Sequence, residues 1–251
     1  MGKKGGSKHL KRLAAPRVWS IKRKGIKFAV KPMPGPHPKD FCIPLQMVLI
    51  DYLKVAENRR EAKRILAERK VKVDGRVRTE LKYPVGLMDV IELIPTEEYY
   101  RVLPSKKGVL ILQGIGKEEA DFKLCLIKDK VTNKGGHVQL NLHDGRNVLI
   151  KVKDPRNPVE DIYKTQDVLQ ISLPEQEVLS HIKLETGVIV LIVRGKNIGY
   201  VGKLKEIIRF MGPYENVARV ELEDGTVLET ALKYIFPIGY EKPVISLPEV
   251  Q

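Results

Sequence analysis

The chain has 251 residues, of which 45 are Lys or Arg and 31 are Asp or Glu, so its formal net charge is +14. Its longest unbroken aliphatic run, Val188 to Val193, has six residues, whereas a helix that crosses a bilayer needs about 20. Only two cysteines occur, Cys42 and Cys125, and both stand in apolar sequence. These features exclude a transmembrane helix and predict a cytoplasmic protein with reduced, buried thiols and no metal site.

Almost all of the net charge lies in residues 1–39, which contain twelve basic residues and no acidic residue. Such a segment loses solvation if it packs against itself, so water or a polyanion such as RNA is its favoured surrounding. Phosphate contacts would release counterions and give salt-sensitive binding that is largely independent of sequence. The alternative is a disordered tail or a localisation signal.

We define residues 1–41 as a basic extended arm. Its candidate RNA-binding residues are Lys3, Lys4, Lys8, Lys11, Arg12, Arg17, Trp19, Lys22, Arg23, Lys24 and Lys27. Trp19 either stacks on an unpaired base or anchors the arm by packing. Prolines at positions 32, 34, 36 and 38 favour an extended spacer, which predicts an arm held away from the body.

Residues 42–104 predict a small module of two helices followed by strands. Apolar residues from Leu45 to Leu53 recur with helical spacing, and Asn58 with Glu61 is typical of a capping box that begins a second helix. An Asp74-Gly75 turn predicts a hairpin over 71–78, and residues 89–93 predict a further strand. Basic residues on the second helix and hairpin either grip phosphates or form an ordinary solvated face. The candidates are Arg59, Arg60, Lys63, Lys70 and Arg76.

Residues 105–173 predict an all-β module. Strands are indicated at 109–112, 124–127, 137–142 and 148–152, with an exposed turn at 134–136 and a further turn at 144–145. Gly114-Ile115-Gly116 lacks the third glycine of a nucleotide-binding loop, so we interpret it as a turn. His143 and Asp144 have no nucleophile nearby in the sequence, and we interpret them as turn residues rather than a catalytic pair.

Residues 174–251 predict a small β-barrel. A strand at 188–193 is followed by a glycine-rich loop at 194–202 and by strands at 217–222 and 227–228, with an Asp224-Gly225 turn between the last two. Arg194 and Lys196 lie at the tip of the glycine-rich loop, where they suit phosphate.

Two stretches resemble known RNA-binding motifs. The sequences at 58–63, 71–76 and 89–91 resemble the S4-type fold, in which the second helix and the adjacent hairpin clasp structured RNA; by position this implies contacts by the five candidates of that module. The usual Arg-Leu-Asp opening of that fold is replaced here by Ile43-Pro44-Leu45. The sequence at 195–202 is similar to the KOW motif of translation and transcription proteins.

The order of these parts, with signatures at 83–90, 143–146 and 234–239, resembles the S4e family of archaeal and eukaryotic small-subunit ribosomal proteins. The resemblance implies an α+β multi-domain protein: a basic extended arm, a helix-helix-hairpin S4-type module, an all-β middle domain and a KOW small β-barrel. It implies a structural constituent of the small ribosomal subunit that binds small-subunit rRNA beside neighbouring ribosomal proteins. No catalysis, cofactor, small-molecule substrate or membrane contact is expected.

Two other functions remain open at this point. An RNA-modifying enzyme could use an S4-type module for targeting, but it would need a catalytic Asp after Arg-Leu, and no Asp here has that context. A KOW-type transcription or regulatory factor would join RNA to another protein.

Overall fold

The computed structural model describes residues 6–22, 24–154 and 159–248. These residues form three five-stranded sheets and two two-stranded sheets, and every strand pair is antiparallel. Helices are few and short. In the described part of the chain, no helix combines the length and hydrophobicity needed to cross a bilayer. The fold is therefore mixed α and β with β predominating.

The arm folds back on itself and onto the body. Its strands β1 (Leu10–Lys11) and β2 (Phe28–Ala29) pair with each other. Trp19 is only 4% exposed and donates its indole N–H to the carbonyl of Cys42. The backbone carbonyl of Val18 accepts a hydrogen bond from the N–H of Leu110 (2.9 Å).

The proline-rich end of the arm is also docked. The N–H of Met33 donates to the carbonyl of Lys82 (2.9 Å), and the buried His37 ring lies 2.8 Å from the carboxylate of Asp89. The prediction of a spacer that holds the arm away from the body is therefore wrong. The prolines do keep the chain extended. Burying the few apolar and aromatic residues of the arm is nevertheless more favourable in free energy than leaving the segment hydrated.

The first module contains the two predicted helical segments, which follow a short strand. Its elements are β3 (Cys42–Pro44), α1 (Leu45–Met47), a π-helical turn (Val48–Tyr52) and α2 (Arg59–Ala67). The Asn58 side chain accepts hydrogen bonds from the N–H groups of Arg60 (2.9 Å) and Glu61 (3.1 Å). The Glu61 carboxylate accepts from the N–H of Glu57 (2.8 Å), so the capping prediction is confirmed.

A five-stranded sheet completes this module. Its strands are β4 (Val71–Val73), β5 (Arg76–Val77), β7 (Val90–Leu93), β8 (Glu98–Pro104) and β9 (Leu110–Ile115), while β6 (Pro84–Gly86) pairs with β3. The order in the sheet is β5-β4-β7-β8-β9. Asp74 (φ 51°) and Gly75 (φ 73°) both adopt the left-handed conformation that a tight two-residue hairpin requires.

The middle sheet has the order β12-β11-β10-β13-β14. It follows a short helix, and its elements are α3 (Lys117–Ala120), β10 (Phe122–Thr132), β11 (Val138–Leu142), β12 (Asn147–Ile150), β13 (Val168–Ser172) and β14 (Val178–Ile182). The strand expected at 109–112 pairs with β8, so it belongs to the first sheet. Gly114 and Ile115 end that strand rather than forming a turn. A strand's module is decided by its partner, which local alternation does not reveal.

The third sheet has the order β18-β17-β16-β15-β19. Its strands are β15 (Ile189–Ile192), β16 (Val201–Ile208), β17 (Val217–Glu221), β18 (Val227–Ala231) and β19 (Ile235–Gly239). The glycine-rich loop connects β15 to β16 and the Asp224-Gly225 turn connects β17 to β18, both as predicted.

The three sheets share most of their apolar interior. One continuous cluster of buried side chains runs from Leu10 and Trp19 through the first module to Phe236 and Ile245. A second cluster of buried side chains, which includes Cys125 and Leu140, belongs to the middle sheet. The modules are therefore packed against one another, and their contacts position the surface described next.

Candidate nucleic-acid interface

Helix α2 presents an exposed row of cations. It begins at Arg59 because Asn58 caps it, and Ala62 and Leu66 hold its apolar side in the core. Its opposite face carries exposed basic side chains, and among the described residues three of them have no carboxylate partner. These three are Arg59, Arg60 and Lys63.

Glu68 forms ion pairs with two other basic residues, one in this helix and one just after it. Its carboxylate lies 2.8 Å from Nε of Arg64 and 2.5 Å from Nζ of Lys70, and these hydrogen bonds lower the pKa of Glu68. Lys70, a predicted contact, therefore has part of its charge neutralised within the protein. Arg76 is exposed on the neighbouring hairpin, and no ion pair reaches it from the described residues.

The arm places most of its candidates on the surface. Lys8, Lys11, Arg17, Lys22, Lys24 and Lys27 are exposed. Lys3, Lys4 and Arg23 lie outside the described residues. Arg12 differs from the exposed group, because its guanidinium donates to the carbonyls of Ile21 (2.5 Å) and Lys22 (2.6 Å). Arg12 thus stabilises the arm's own loop. The N–H groups that form these bonds are therefore not free to bind phosphate in the way that the prediction proposed.

The aromatic residue predicted to stack on RNA is not available. Trp19 packs in the core, as the alternative interpretation held, so its ring presents no free face to a base. Phe28, by contrast, is 50% exposed, with His9 against its edge (ring centroids 5.5 Å apart) and the Lys27 ammonium 5.8 Å from its centroid. Its position between lysines in the sequence was the signal that could have identified it.

One part of the glycine-rich loop is exposed, and another part packs against the first module. Arg194 and Lys196 are exposed, and the Arg194 guanidinium lies 4.6 Å from the centroid of the Phe41 ring. Gly199 (φ +80°) faces inward, where a Cβ would lie 2.4 Å from the backbone carbonyl carbon of Ser105. Part of this loop is therefore committed to docking the third module on the first.

A buried ion cluster, which sequence reasoning missed, ties the parts together beneath this surface. We define it as Asp74, Asp89, Lys123, Asp144 and Arg146. The Lys123 ammonium lies 2.9 Å from Asp74, 2.5 Å from Asp89 and 3.0 Å from Asp144. Arg146 reaches Asp74 (2.6 Å) and Asp144 (3.1 Å).

The cluster controls ionisation at the module junction. Burial by itself would lower the pKa of Lys123, but the three carboxylates raise it well above its ordinary value. Burial would raise the pKa of Asp144, yet the Lys123 ammonium lowers it to about 2. Lys123 and Asp144 therefore stay charged at neutral pH, and the cluster fixes the hairpin of Arg76 against the middle sheet.

The side chains of Cys125, His143 and Asp144 approach within 4.8 Å of one another, as metal ligands do. Nδ1 of His143 accepts from the N–H of Leu126 (3.2 Å), so Nε2 carries the proton and donates to the carbonyl of Leu87 (3.2 Å). Burial lowers the pKa of His143 to about 4 and raises the pKa of the Cys125 thiol. With both ring nitrogens engaged and Asp144 paired, this group serves internal bonding.

Comparison with known proteins agrees with this arrangement. Residues 43–91 match the S4 domain, residues 4–40 match the RS4NT (NUC023) domain and residues 96–178 match the ribosomal family S4e. The match at 43–91 confirms the S4-type prediction.

Whole-chain relatives agree with the family matches. A protein of Staphylothermus marinus named small ribosomal subunit protein eS4 is 54% identical over 249 residues, covering 99% of both chains. One of Methanocaldococcus jannaschii with the same name is 51% identical over 247 residues, covering 98% of this chain and all of the relative. The crystal structure of the 30S ribosomal protein S4e of Thermoplasma acidophilum superposes with a TM-score of 0.67 at 34% identity, covering 81% of this chain and 97% of that one.

The S4-type helix, whose Arg59, Arg60 and Lys63 have no carboxylate partner in the described part of the chain, together with the basic arm, defines a protein of the RNA-binding class. The chain belongs to the ribosomal protein family S4e, to which whole-chain relatives and the solved structure both connect it.

Proposed function

We propose that this protein is a structural constituent of the small ribosomal subunit, where it binds small-subunit rRNA and lies beside other ribosomal proteins in the cytoplasm. The observation that carries the proposal is the row formed by Arg59, Arg60 and Lys63 on the S4-type helix. Cations without carboxylate partners are costly to crowd on one face unless a polyanion neutralises them. The names of the whole-chain relatives support the same assignment.

Binding divides among several sites of modest strength. Guanidinium groups on α2 and on the β4-β5 hairpin bind phosphates bidentately, and the exposed lysines of the arm add charge neutralisation. Because the arm is docked on the body, its lysines and the basic residues of α2 are held in fixed positions relative to one another. Linked sites then raise the overall affinity far above that of any one of them.

The protein acts through binding rather than catalysis in this proposal. The family membership supports a structural role, and the polar group that most resembles a catalytic or metal site, that of Cys125, His143 and Asp144, is engaged internally. The glycine-rich loop resembles a KOW motif, and its exposed Arg194 and Lys196 contribute further phosphate contacts.

Sedimentation tests this function most directly. We expect the tagged full-length protein to sediment with small ribosomal subunits in a sucrose gradient at moderate salt, and to leave them as salt rises because phosphate contacts are screened. A protein that runs free of the subunits, or that follows an RNA polymerase, would contradict the proposal and favour the regulatory alternative.

A further inference from the structure

A cleft of about 500 Å³ lies where the end of the arm, the middle sheet and the third module meet. This is within the size range of sites for small ligands. Its walls include aromatic rings from three separate parts of the chain. These are Phe41 from the arm, His143 from the β11-β12 turn, and Tyr234 and Phe236 from the third module.

Two of these rings, His143 and Tyr234, are partly exposed and offer surface to another flat ring, while Phe41 and Phe236 are buried behind them. His143 meets Phe236 edge to face with the ring centroids 5.6 Å apart. The imidazole is neutral at physiological pH, because burial lowers its pKa to about 4, and both of its nitrogens have protein partners. It therefore offers a ring face and no hydrogen bond to a ligand in the cleft.

Three cations line the cleft. Lys128 and Arg194 are exposed and have no carboxylate partner among the residues that the structure describes, while Lys233 is paired with Glu215. Arg194 lies over Phe41 and Lys233 over Tyr234, with the charge 4.6 Å and 5.2 Å from the respective ring centroids. A ligand here meets aromatic walls and positive charge together.

One buried acceptor in the cleft lacks a partner. Oε1 of Gln166 is inaccessible to solvent and receives no hydrogen bond from any described residue. The Gln166 backbone is held in the left-handed region (φ 74°), and its N–H donates to the carbonyl of Ile127 (2.9 Å). Buried acceptors are normally satisfied, so an unsatisfied one beside a cleft indicates a missing donor.

We propose that this cleft receives one unpaired nucleotide of the bound RNA. The base lies against the partly exposed rings of His143 and Tyr234, and the flanking phosphates meet Lys128 and Arg194. An N–H on the edge of the base donates to Oε1 of Gln166 once that amide turns towards the cleft. Aromatic stacking with cationic neighbours is the usual way in which proteins hold single-stranded RNA. The inference rests on the RNA-binding function and adds to it a site that takes a base rather than a helix backbone.

Photo-crosslinking tests the position of the nucleotide. Small subunits are assembled with the full-length protein and rRNA transcripts that carry 4-thiouridine or 6-thioguanosine, and are then irradiated. We expect nucleotide adducts on the tryptic peptide 234–251, within which Tyr234 and Phe236 are two of the cleft's aromatic rings. Adducts that occur only on the arm and α2 would overturn the cleft while leaving the proposed function intact. Crosslinks from the peptide 234–251 to another protein would assign the cleft to a protein partner and also overturn it.

Two variants and a control distinguish the contribution of the base contact from that of the phosphate contact. Gln166→Leu keeps the side-chain size and removes the acceptor, so we expect about fivefold weaker binding to the transcript at an unchanged salt slope. Lys128→Ala should weaken binding and reduce the log-log salt slope by about 0.7. Lys151→Ala, which removes an exposed lysine of the same module, is the matched control and should change binding less than twofold.

Melting temperatures within a few degrees of the parent's show that the variants fold. Wild-type affinity in both Gln166→Leu and Lys128→Ala would refute the nucleotide site. If the parent protein itself fails to bind the transcript, the proposed function fails instead, so the two failures are distinguishable.

Discussion

At the residue scale, function depends on which charges the protein leaves without partners. Arg59, Arg60 and Lys63 on helix α2 have no carboxylate within reach among the described residues, whereas Arg64 is tied to Glu68. All four side chains are basic and exposed, and what sets Arg64 apart is its ion pair with Glu68. A cation that already has a partner gains less from meeting a phosphate.

The double variant Arg60→Ala with Lys63→Ala should therefore weaken rRNA binding roughly tenfold, because two cations that bind phosphate are removed. Its free energy of unfolding should change by less than about 0.5 kcal/mol, since both side chains are exposed. Filter binding and urea denaturation measure the two quantities. Arg64→Ala is the control and should have the smaller effect on affinity; an equal effect would mean that partner-free charge is not what matters.

The residues of the module junction predict how stability depends on pH. The pKa of His143 is lowered from 6.5 to about 4, so the unfolded state binds more protons between these values and stability falls as pH drops through that window. The pKa of Asp144 is lowered from 3.8 to about 2, so its contribution is present above pH 3.8 and is lost as pH falls towards 2. Urea midpoints measured from pH 7 to pH 2 should therefore fall in two successive windows.

His143→Gln removes the upper of these two windows. We expect its urea midpoint to vary less than the parent's between pH 6.5 and 4, while the decline below pH 4 remains. A parent protein whose midpoint is flat from pH 7 to pH 4 would show that the ring is not held neutral.

At the scale of elements, loops and turns proved to join modules as well as strands. The β4-β5 turn contributes Asp74 to the buried ion cluster, and the β15-β16 loop places Gly199 against Ser105. The sequence predicted each of them as a connection between strands with basic residues that suit phosphate, and it did not predict that either one packs against another module. Their local geometry was predictable from Gly and Asp propensities, but the surface that each turn contacts was not.

Gly199→Ala should destabilise the protein by about 2 to 3 kcal/mol, because the new Cβ would collide with the Ser105–Lys106 backbone as well as strain a positive φ. Gly225→Ala is a matched control, since its φ of +77° is similar and no atom lies within 4 Å of the added Cβ. It should cost only about 1 kcal/mol. Equal destabilisation of the two variants in denaturant titrations would show that the docking of Gly199 on Ser105 contributes nothing.

The exposed lysines of the arm supply positive charge for RNA binding, whereas its buried apolar residues stabilise the fold. Replacing Lys8, Lys11 and Lys27 with Gln should lower the log-log salt slope of rRNA binding by about 0.7 to 0.9 for each phosphate that the arm no longer neutralises. The melting temperature should stay within a few degrees, because all three side chains are exposed. An unchanged slope would show that the arm does not bind phosphate. Substitution is a cleaner test than deletion, which would also remove Leu10 and Trp19 from the core.

At the scale of the whole molecule, one apolar cluster links the arm, the first module and the third sheet. Three separate small cores, one for each of the three predicted modules, would bury less apolar surface per residue. The shared core also fixes the arm lysines relative to α2, so RNA meets one shaped surface.

A shared core predicts cooperative unfolding. Trp19 is the protein's single tryptophan and lies between the arm and the first module, so its fluorescence reports on that junction. We expect the fluorescence transition and the far-UV circular dichroism transition to share one urea midpoint. An earlier fluorescence transition would show that the arm detaches before the sheets unfold.

Local features of the fold were predictable because they depend on nearby residues. The Asn58 cap, the Asp74-Gly75 hairpin and the β15-β16 connection all follow from short-range hydrogen bonding and backbone preference. The exposed cations of α2 followed from helical spacing around a buried side. The resemblance to the S4e family depended on several short motifs and on their order along the chain, and both can be read without knowing the packing.

The sequence by itself determined the positive arm, the S4-type helices and most of the strands, because charge density and periodicity are local properties. Only the tertiary structure decided that Trp19 is buried, that strand β9 joins the first sheet, and that Lys123 pairs with three carboxylates from distant positions. Each of these depends on contacts between residues far apart in the chain. Such contacts are selected by the total surface buried and the charges paired, quantities that exist only once the modules have packed together.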